Sequence, residues 1–262
     1  MYTLKDFIRL LVIVGGIAAL FANASPRHSE TTAENGRINN VVLVHGASVD
    51  GSYWEPVYRQ LTAKGYQVTI AQEPLTGFNA DVAAARRALS LQQGPVVLVG
   101  HSYGGAIISA VGNDPNVKAL VYVAAHAPDA GESVADLNGK FPMDSLKHVA
   151  VTADGYIHFQ RDKWHESIAA DTPKEYADFA AASQVLSSAD AFGAKIPDAA
   201  WRSKPTYAIV ATDDKIVSPD LQRFMYQRAK ARTVEVKASH SVLVSQPRAV
   251  ADLIMEATKV KP

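Results

Sequence analysis

The sequence predicts an α/β fold: a mostly parallel, doubly wound sheet covered by helices on both faces, with one segment inserted late in the chain. Three observations carry this. Short valine-rich apolar runs alternate with helix-length stretches from Val41 onward, the rhythm of strand–helix–strand units. One of those runs meets its helix through a turn in which Ser102 stands between glycines. The rhythm then breaks at Ala127, and it resumes after Lys204.

In chain order, Val41–Val44 reads as a buried strand ending at His45-Gly46. Residues 54–63 read as a helix closed by Lys64-Gly65, a plausible C-cap. Tyr66–Ala71 is the next strand, and residues 80–91 form an alanine-rich helix. Gly94-Pro95 breaks the chain before a strand over 95–99, and the apolar stretch 106–111 begins a buried helix. A strand over 119–125 follows. The segment 127–204 is polar, contains Pro128, Pro142, Pro173 and Pro197, and holds two of the three tryptophans, so it reads as a lid inserted between two sheet strands. After it come a strand (206–211), a helix (220–229), a strand (233–236) and a closing helix (247–257). The expected organisation is an α/β core over 41–126 and 205–262, with the lid at 127–204.

Ahead of the core, Lys5 and Arg9 precede an apolar stretch from Leu10 to Phe21, and Ala22-Asn23-Ala24 follows in A-x-A form. That layout predicts a secretory signal peptide over 1–24, cleaved after Ala24, and a periplasmic or secreted protein. The alternative is tethering by an uncleaved signal, although the apolar stretch is short against the about twenty residues a bilayer needs. Residues 25–40 read as a polar leader. The 26 basic and 26 acidic residues cancel, and no basic stretch is interleaved with aromatics, which argues against nucleic acid as a partner. The absence of cysteine excludes disulfides, thiolate metal sites and a cysteine nucleophile.

Gly100-His101-Ser102-Tyr103-Gly104 fits G-x-S-x-G, the strand–turn–helix corner that exposes a nucleophilic serine. A serine hydroxyl needs a base, and the base needs an orienting group. Both are in place in the expected order: Asp213 and Asp214 just past one strand, His240 just past the next. Asp214 is the preferred acid, Asp213 the near alternative and Asp129 a remote third. The oxyanion donors expected are the backbone N–H groups of Tyr103, which follows the serine, and Ala47, in the loop after the first strand.

His45-Gly46-Ala47, Gly100-His101-Ser102-Tyr103-Gly104, "TDDKIVSP" and "SHSVLVSQP" together resemble the α/β-hydrolase superfamily, and more closely the small bacterial relatives of plant methyl esterases and hydroxynitrile lyases. The resemblance covers about Val41 to Lys259. It implies the α/β-hydrolase fold, here with about six to seven strands, and it places the acid on Asp214. The lyases carry a lysine directly after the catalytic histidine, where this chain has Ser241. That departure favours hydrolysis.

The expectation is therefore a carboxylesterase-like serine hydrolase of small, fairly apolar esters or lactones, with Ser102, Asp214 and His240 catalytic and no cofactor or metal. His158 and His165 lack an acidic partner pattern for a metal. His126, at the end of the strand after the elbow, and the lid aromatics Trp164, Phe159 and Phe179 are candidates for the substrate pocket, whereas Trp54 is read as packing against the oxyanion loop. The rivals are the same triad acting on an amide or carbon–carbon bond, or as a perhydrolase, and a small-molecule receptor of low turnover. Oligomeric state is not legible.

Overall fold

The computed structural model describes residues 36–261, so the signal peptide expected at 1–24 and the leader as far as residue 35 lie outside the described residues. The first half runs β1 (Asn40–Val44), a 3-10 turn (Gly51–Trp54), α1 (Glu55–Thr62), β2 (Gln67–Ala71), α2 (Phe78–Ser90), β3 (Val96–His101), α3 (Gly104–Val111) and β4 (Val117–Val123). The inserted segment holds α4 (Val134–Lys140), β5 (Val149–Val151), β6 (Tyr156–Phe159), α5 (Arg161–Ile168), α6 (Lys174–Ala182), β7 (Ser187–Ser188) and α7 (Asp190–Gly193). The chain returns through β8 (Thr206–Ala211), α8 (Pro219–Arg228), β9 (Arg232–Val236), α9 (Val242–Ser245) and α10 (Pro247–Ala257).

Six strands form the main sheet in the order β2-β1-β3-β4-β8-β9, and every neighbouring pair is parallel. The strand count falls within the expected range. Alternate residues of the central strands feed two separate cores, because side chains on a strand point to opposite faces in turn. Val42, Val44, Leu98 and Tyr122 pack with residues of α2, α3 and α8. Val41, Leu43, Val99 and Val121 pack on the other face with α1 and α10. Ile38 is fully buried and donates its N–H to the Thr258 carbonyl, so the folded core begins inside the stretch read as leader.

Several boundaries differ from the sequence reading for identifiable reasons. β3 continues through Gly100 and His101, which pair with Tyr122 and Val123 of β4. α3 begins at Gly104 and not at Ala106. A Cβ on Gly104 would stand 2.4 Å from the His45 carbonyl oxygen, and one on Gly105 would stand 2.2 Å from that of His126. The two glycines thus serve helix packing as well as the turn. β4 stops at Val123 because Ala124 turns to φ 45°. The first helix starts one residue later than expected, with Pro56 in its first turn and the 3-10 turn ahead of it.

The inserted segment carries its own small antiparallel sheet, β5-β6-β7, which the sequence reading did not foresee. Its strands are two to four residues long, too short for an alternating pattern to stand out.

Candidate active site

The switch in strand order falls between β1 and β3, where successive connections leave in opposite directions; ligands of open α/β sheets bind outside the carboxyl ends of strands at such a point. Val44 and Gly100 are register partners there, which sets the loop after β1 beside the turn after β3. Ser102 sits at the top of that turn with φ 53°, a left-handed backbone that costs a residue with a Cβ about 1 kcal/mol or more. The turn is held by hydrogen bonds from the N–H of Ser102 to the Val123 carbonyl (3.3 Å) and from the N–H of His126 to the Ser102 carbonyl (3.0 Å). A Cβ on Gly46 would lie 2.8 Å from the Ser102 Cβ, so a glycine is needed for the loop after β1 to come this close.

His240 arrives on the loop between β9 and α9. Its Nε2 lies 2.8 Å from Ser102 Oγ and its Nδ1 lies 2.7 Å from Asp214 Oδ2. Nδ1 therefore carries the proton and donates to the carboxylate, leaving Nε2 to accept from the serine hydroxyl. Asp214 is 2% exposed. Its Oδ1 accepts the N–H groups of Ile216 (2.7 Å) and Val217 (3.0 Å), and its Oδ2 also accepts from Gln222 Nε2 (2.9 Å). Asp213, by contrast, is exposed, and Asp129 forms a salt bridge with Arg202 at 2.6 Å. Of the three acids weighed from the sequence, only Asp214 reaches His240.

Gln222, in α8 and fully buried, went unnoticed in the sequence. It bridges Asp214 to the strand before it, donating to the carboxylate while its Oε1 accepts the Ala211 N–H at 3.0 Å. Nothing in a glutamine on a helix announces such a role. His101 is a second unforeseen support: its Nε2–H donates to the His240 backbone carbonyl at 3.0 Å, and burial holds its ring well below the usual histidine range.

The histidine loop is also tied to the insertion. Ser241, the position where the lyases carry lysine, is fully buried. Its Oγ donates to the Ile168 carbonyl (2.8 Å) and accepts from the Tyr53 hydroxyl (2.5 Å). Ser239 donates its N–H to Asp171 Oδ2 at 3.1 Å, and its hydroxyl donates to the same carboxylate.

Ala47 lines one cavity with Ser102, and Tyr103 follows the serine in the chain. Among the described residues, neither backbone N–H donates to a protein acceptor. The Tyr103 side chain points away, its hydroxyl donating to the buried Asp81 at 2.9 Å.

Ser102 and His240 open onto a cavity of about 290 Å³, largely apolar, with Val49, Leu146, Ile157, Phe159 and Trp164 in its wall. Of the four pocket candidates, His126, Trp164 and Phe159 line it. Phe179 does not: it is 69% exposed, because its side of α6 faces solvent. Trp54 is fully buried with its ring edge-on to His101 at the end of β3, 6.2 Å between centroids. His165 hydrogen-bonds to the Thr172 carbonyl (3.1 Å). Among the described residues, no three His, Asp or Glu side chains converge as metal ligands would.

A family model described as the alpha/beta hydrolase family matches residues 41–253. Carbendazim hydrolyzing esterase of Nocardioides sp. (strain SG-4G) is 30% identical over 112 residues, covering 37% of this chain and 46% of that protein. The chain thus spans about half the length of the curated relative it matches. Among solved structures, a pyrethroid hydrolase from Sphingobium faniae JZ-2 superposes with a TM-score of 0.74 at 22% identity, over 85% of this chain and 98% of its own. An extracellular α/β-hydrolase from a Paenibacillus species gives 0.70 at 18% identity, over 85% of this chain and 100% of its own. At these identities the likeness is one of fold.

Proposed function

The chain belongs to the alpha/beta hydrolase family, and from that premise we propose that it is an exported serine hydrolase cleaving carboxylic esters or lactones of small, fairly apolar molecules. The observation that carries this is the run of hydrogen bonds from Ser102 through His240 to Asp214, opening on an apolar cavity. The esterase and hydrolase names of its relatives agree with it. Export is supported by Lys5, Arg9, the apolar stretch to Phe21 and Ala22-Asn23-Ala24.

In this reading Ser102 Oγ attacks the ester carbonyl while its proton passes to His240 Nε2, making an imidazolium that Asp214 stabilises. The tetrahedral oxyanion is held by the N–H groups of Ala47 and Tyr103, each donor worth about 3 kcal/mol in such sites. Collapse breaks the carbon–oxygen bond, and His240 returns its proton to the departing alcohol. Water then attacks the acyl-enzyme with His240 again as base, releasing the acid and restoring Ser102.

The test is hydrolysis of p-nitrophenyl esters from acetate to decanoate by the full chain, with Ser102→Ala alongside. Turnover that is lost in the variant, with a fall-off toward decanoate as the acyl chain outgrows the cavity, is expected. Equal turnover by Ser102→Ala would overturn the assignment.

A further inference from the structure

Beside the serine turn, the cavity wall carries a polar pair for which ester hydrolysis as set out above has no use. His126, 3% exposed, follows β4 and is fixed to the turn by its N–H bond to the Ser102 carbonyl. Its Nε2 lies 2.8 Å from Asn138 Oδ1 on α4, and both residues line the cavity. An amide oxygen only accepts, so Nε2 carries the proton and donates. Burial pushes the His126 imidazole down to about 4, so the ring is neutral near pH 7 with this single N–H.

The amide of Asn138 is thereby oriented, with Oδ1 against His126 and Nδ2 turned away from it. Among the described residues, Nδ2 has no protein acceptor, and Asn138 is only half-buried. The helix beneath is anchored. Ser133 and Asp136 form a reciprocal cap at its start; Lys195 pairs with Asp136, and Lys140 and Arg228 pair with Glu132 just ahead of it. Leu146, Phe192 and Ile216 lie in the same cavity wall. A purely hydrocarbon ligand packed there would strip water from the amide without replacing its hydrogen bonds, a penalty that favours ligands able to accept them. No Lys or Arg lines the cavity, so a neutral acceptor suits the site and a carboxylate does not.

Resting on the ester-hydrolase reading, the geometry points to Asn138 as a substrate-binding residue and His126 as its positioning residue, so that the site selects esters bearing a second, neutral hydrogen-bond-accepting oxygen, ketone or ether, besides the scissile group. The N–H groups of Asn138 donate to that oxygen. His126 keeps the amide from turning its own oxygen toward the substrate.

The test pairs oxo-substituted esters with counterparts in which C=O is replaced by CH–CH3, the substituent placed in the acyl chain in one series and in the alcohol in the other. Wild type, Asn138→Leu, His126→Phe and His126→Gln are compared by the oxo-to-methyl ratio of kcat/KM, which cancels the effect of misfolded protein. The expected result is a wild-type ratio that falls about tenfold in Asn138→Leu and in His126→Phe in at least one series, with partial recovery in His126→Gln, which restores a donor. Ratios equal in wild type and Asn138→Leu in both series would overturn the inference while leaving the esterase reading intact. If wild type hydrolyses neither these esters nor the p-nitrophenyl series, the esterase reading falls. Calorimetric binding of the same esters to Ser102→Ala with and without Asn138→Leu then decides: selective loss of the oxo ester supports the role of Asn138, and equal binding overturns it.

Discussion

Of the acids weighed, Asp214 alone holds His240, and four donors converge on it: two backbone N–H groups, Gln222 and His240. The backbone pair fixes Oδ1 and so turns Oδ2 toward the imidazole. Asp213, one residue earlier, has its own N–H committed to Ala238 and its side chain in solvent. Replacing Asp214 with Asn removes the acceptor charge and upsets the histidine tautomer, and a fall in kcat of about 10⁴ is expected by analogy with other triads, measured on a p-nitrophenyl ester that wild type turns over. Gln222→Leu leaves one lone pair of Asp214 and the Ala211 N–H without partners in a buried setting. The expected cost is about 1–3 kcal/mol of stability, read by urea denaturation, together with a lower kcat. Unchanged stability would mean that the glutamine merely fills space.

The elements were legible where burial imposes a pattern. β1, β3, β4 and β8 are continuous apolar runs because both of their faces are covered, and each was found within about two residues of its end. The serine turn was legible because G-x-S-x-G with apolar flanks has few other uses. What escaped was whatever depends on the assembled fold. Gly104 reads as a turn residue and the helix as starting at Ala106, yet Gly104 and Gly105 begin α3, since only a missing Cβ lets that helix lie against the His45 and His126 carbonyls. The tie between the histidine loop and the end of α5 was invisible too, because Ser239, Ser241 and Asp171 carry no pattern until Ile168 stands beside them. Gly104→Ala is expected to cost stability by about 1–3 kcal/mol or more through overpacking and to lower kcat by displacing Tyr103 and Ala47; a fully active, equally stable variant would contradict the packing account. Asp171→Ala should lower kcat more than it raises KM, because it loosens the loop that carries His240 and does not touch the cavity.

At the scale of the whole molecule, the protein should lose stability as the pH falls below about 6.5. His101 and His126 are buried, and burial lowers both, His126 to about 4, against about 6.5 in an unfolded chain. Above 6.5 neither state binds these protons, and the stabilisation is complete. For His126, between about 6.5 and 4 the unfolded chain is protonated and the folded one is not, so stability falls with pH by up to about 1.4 kcal/mol per unit, and His101 acts in the same direction. His45 has the opposite sign: burial pulls it down, but Glu73, 3.0 Å away, outweighs that and raises it. Its contribution is complete below 6.5 and lost at higher pH, so it does not offset the loss on the acid side. Urea unfolding of wild type and His126→Phe from pH 7 to 4.5 should show a shallower slope in the variant; identical slopes would contradict a neutral buried ring. The central claim, that Ser102 is the nucleophile of a hydrolase, is tested most directly by treating the full chain with diethyl p-nitrophenyl phosphate and locating any adduct by peptide mass mapping. The account predicts one diethylphosphoryl group per chain, on Ser102, with esterase activity lost in proportion and no labelling in His240→Ala. Labelling elsewhere, or activity that survives full labelling of Ser102, would contradict it.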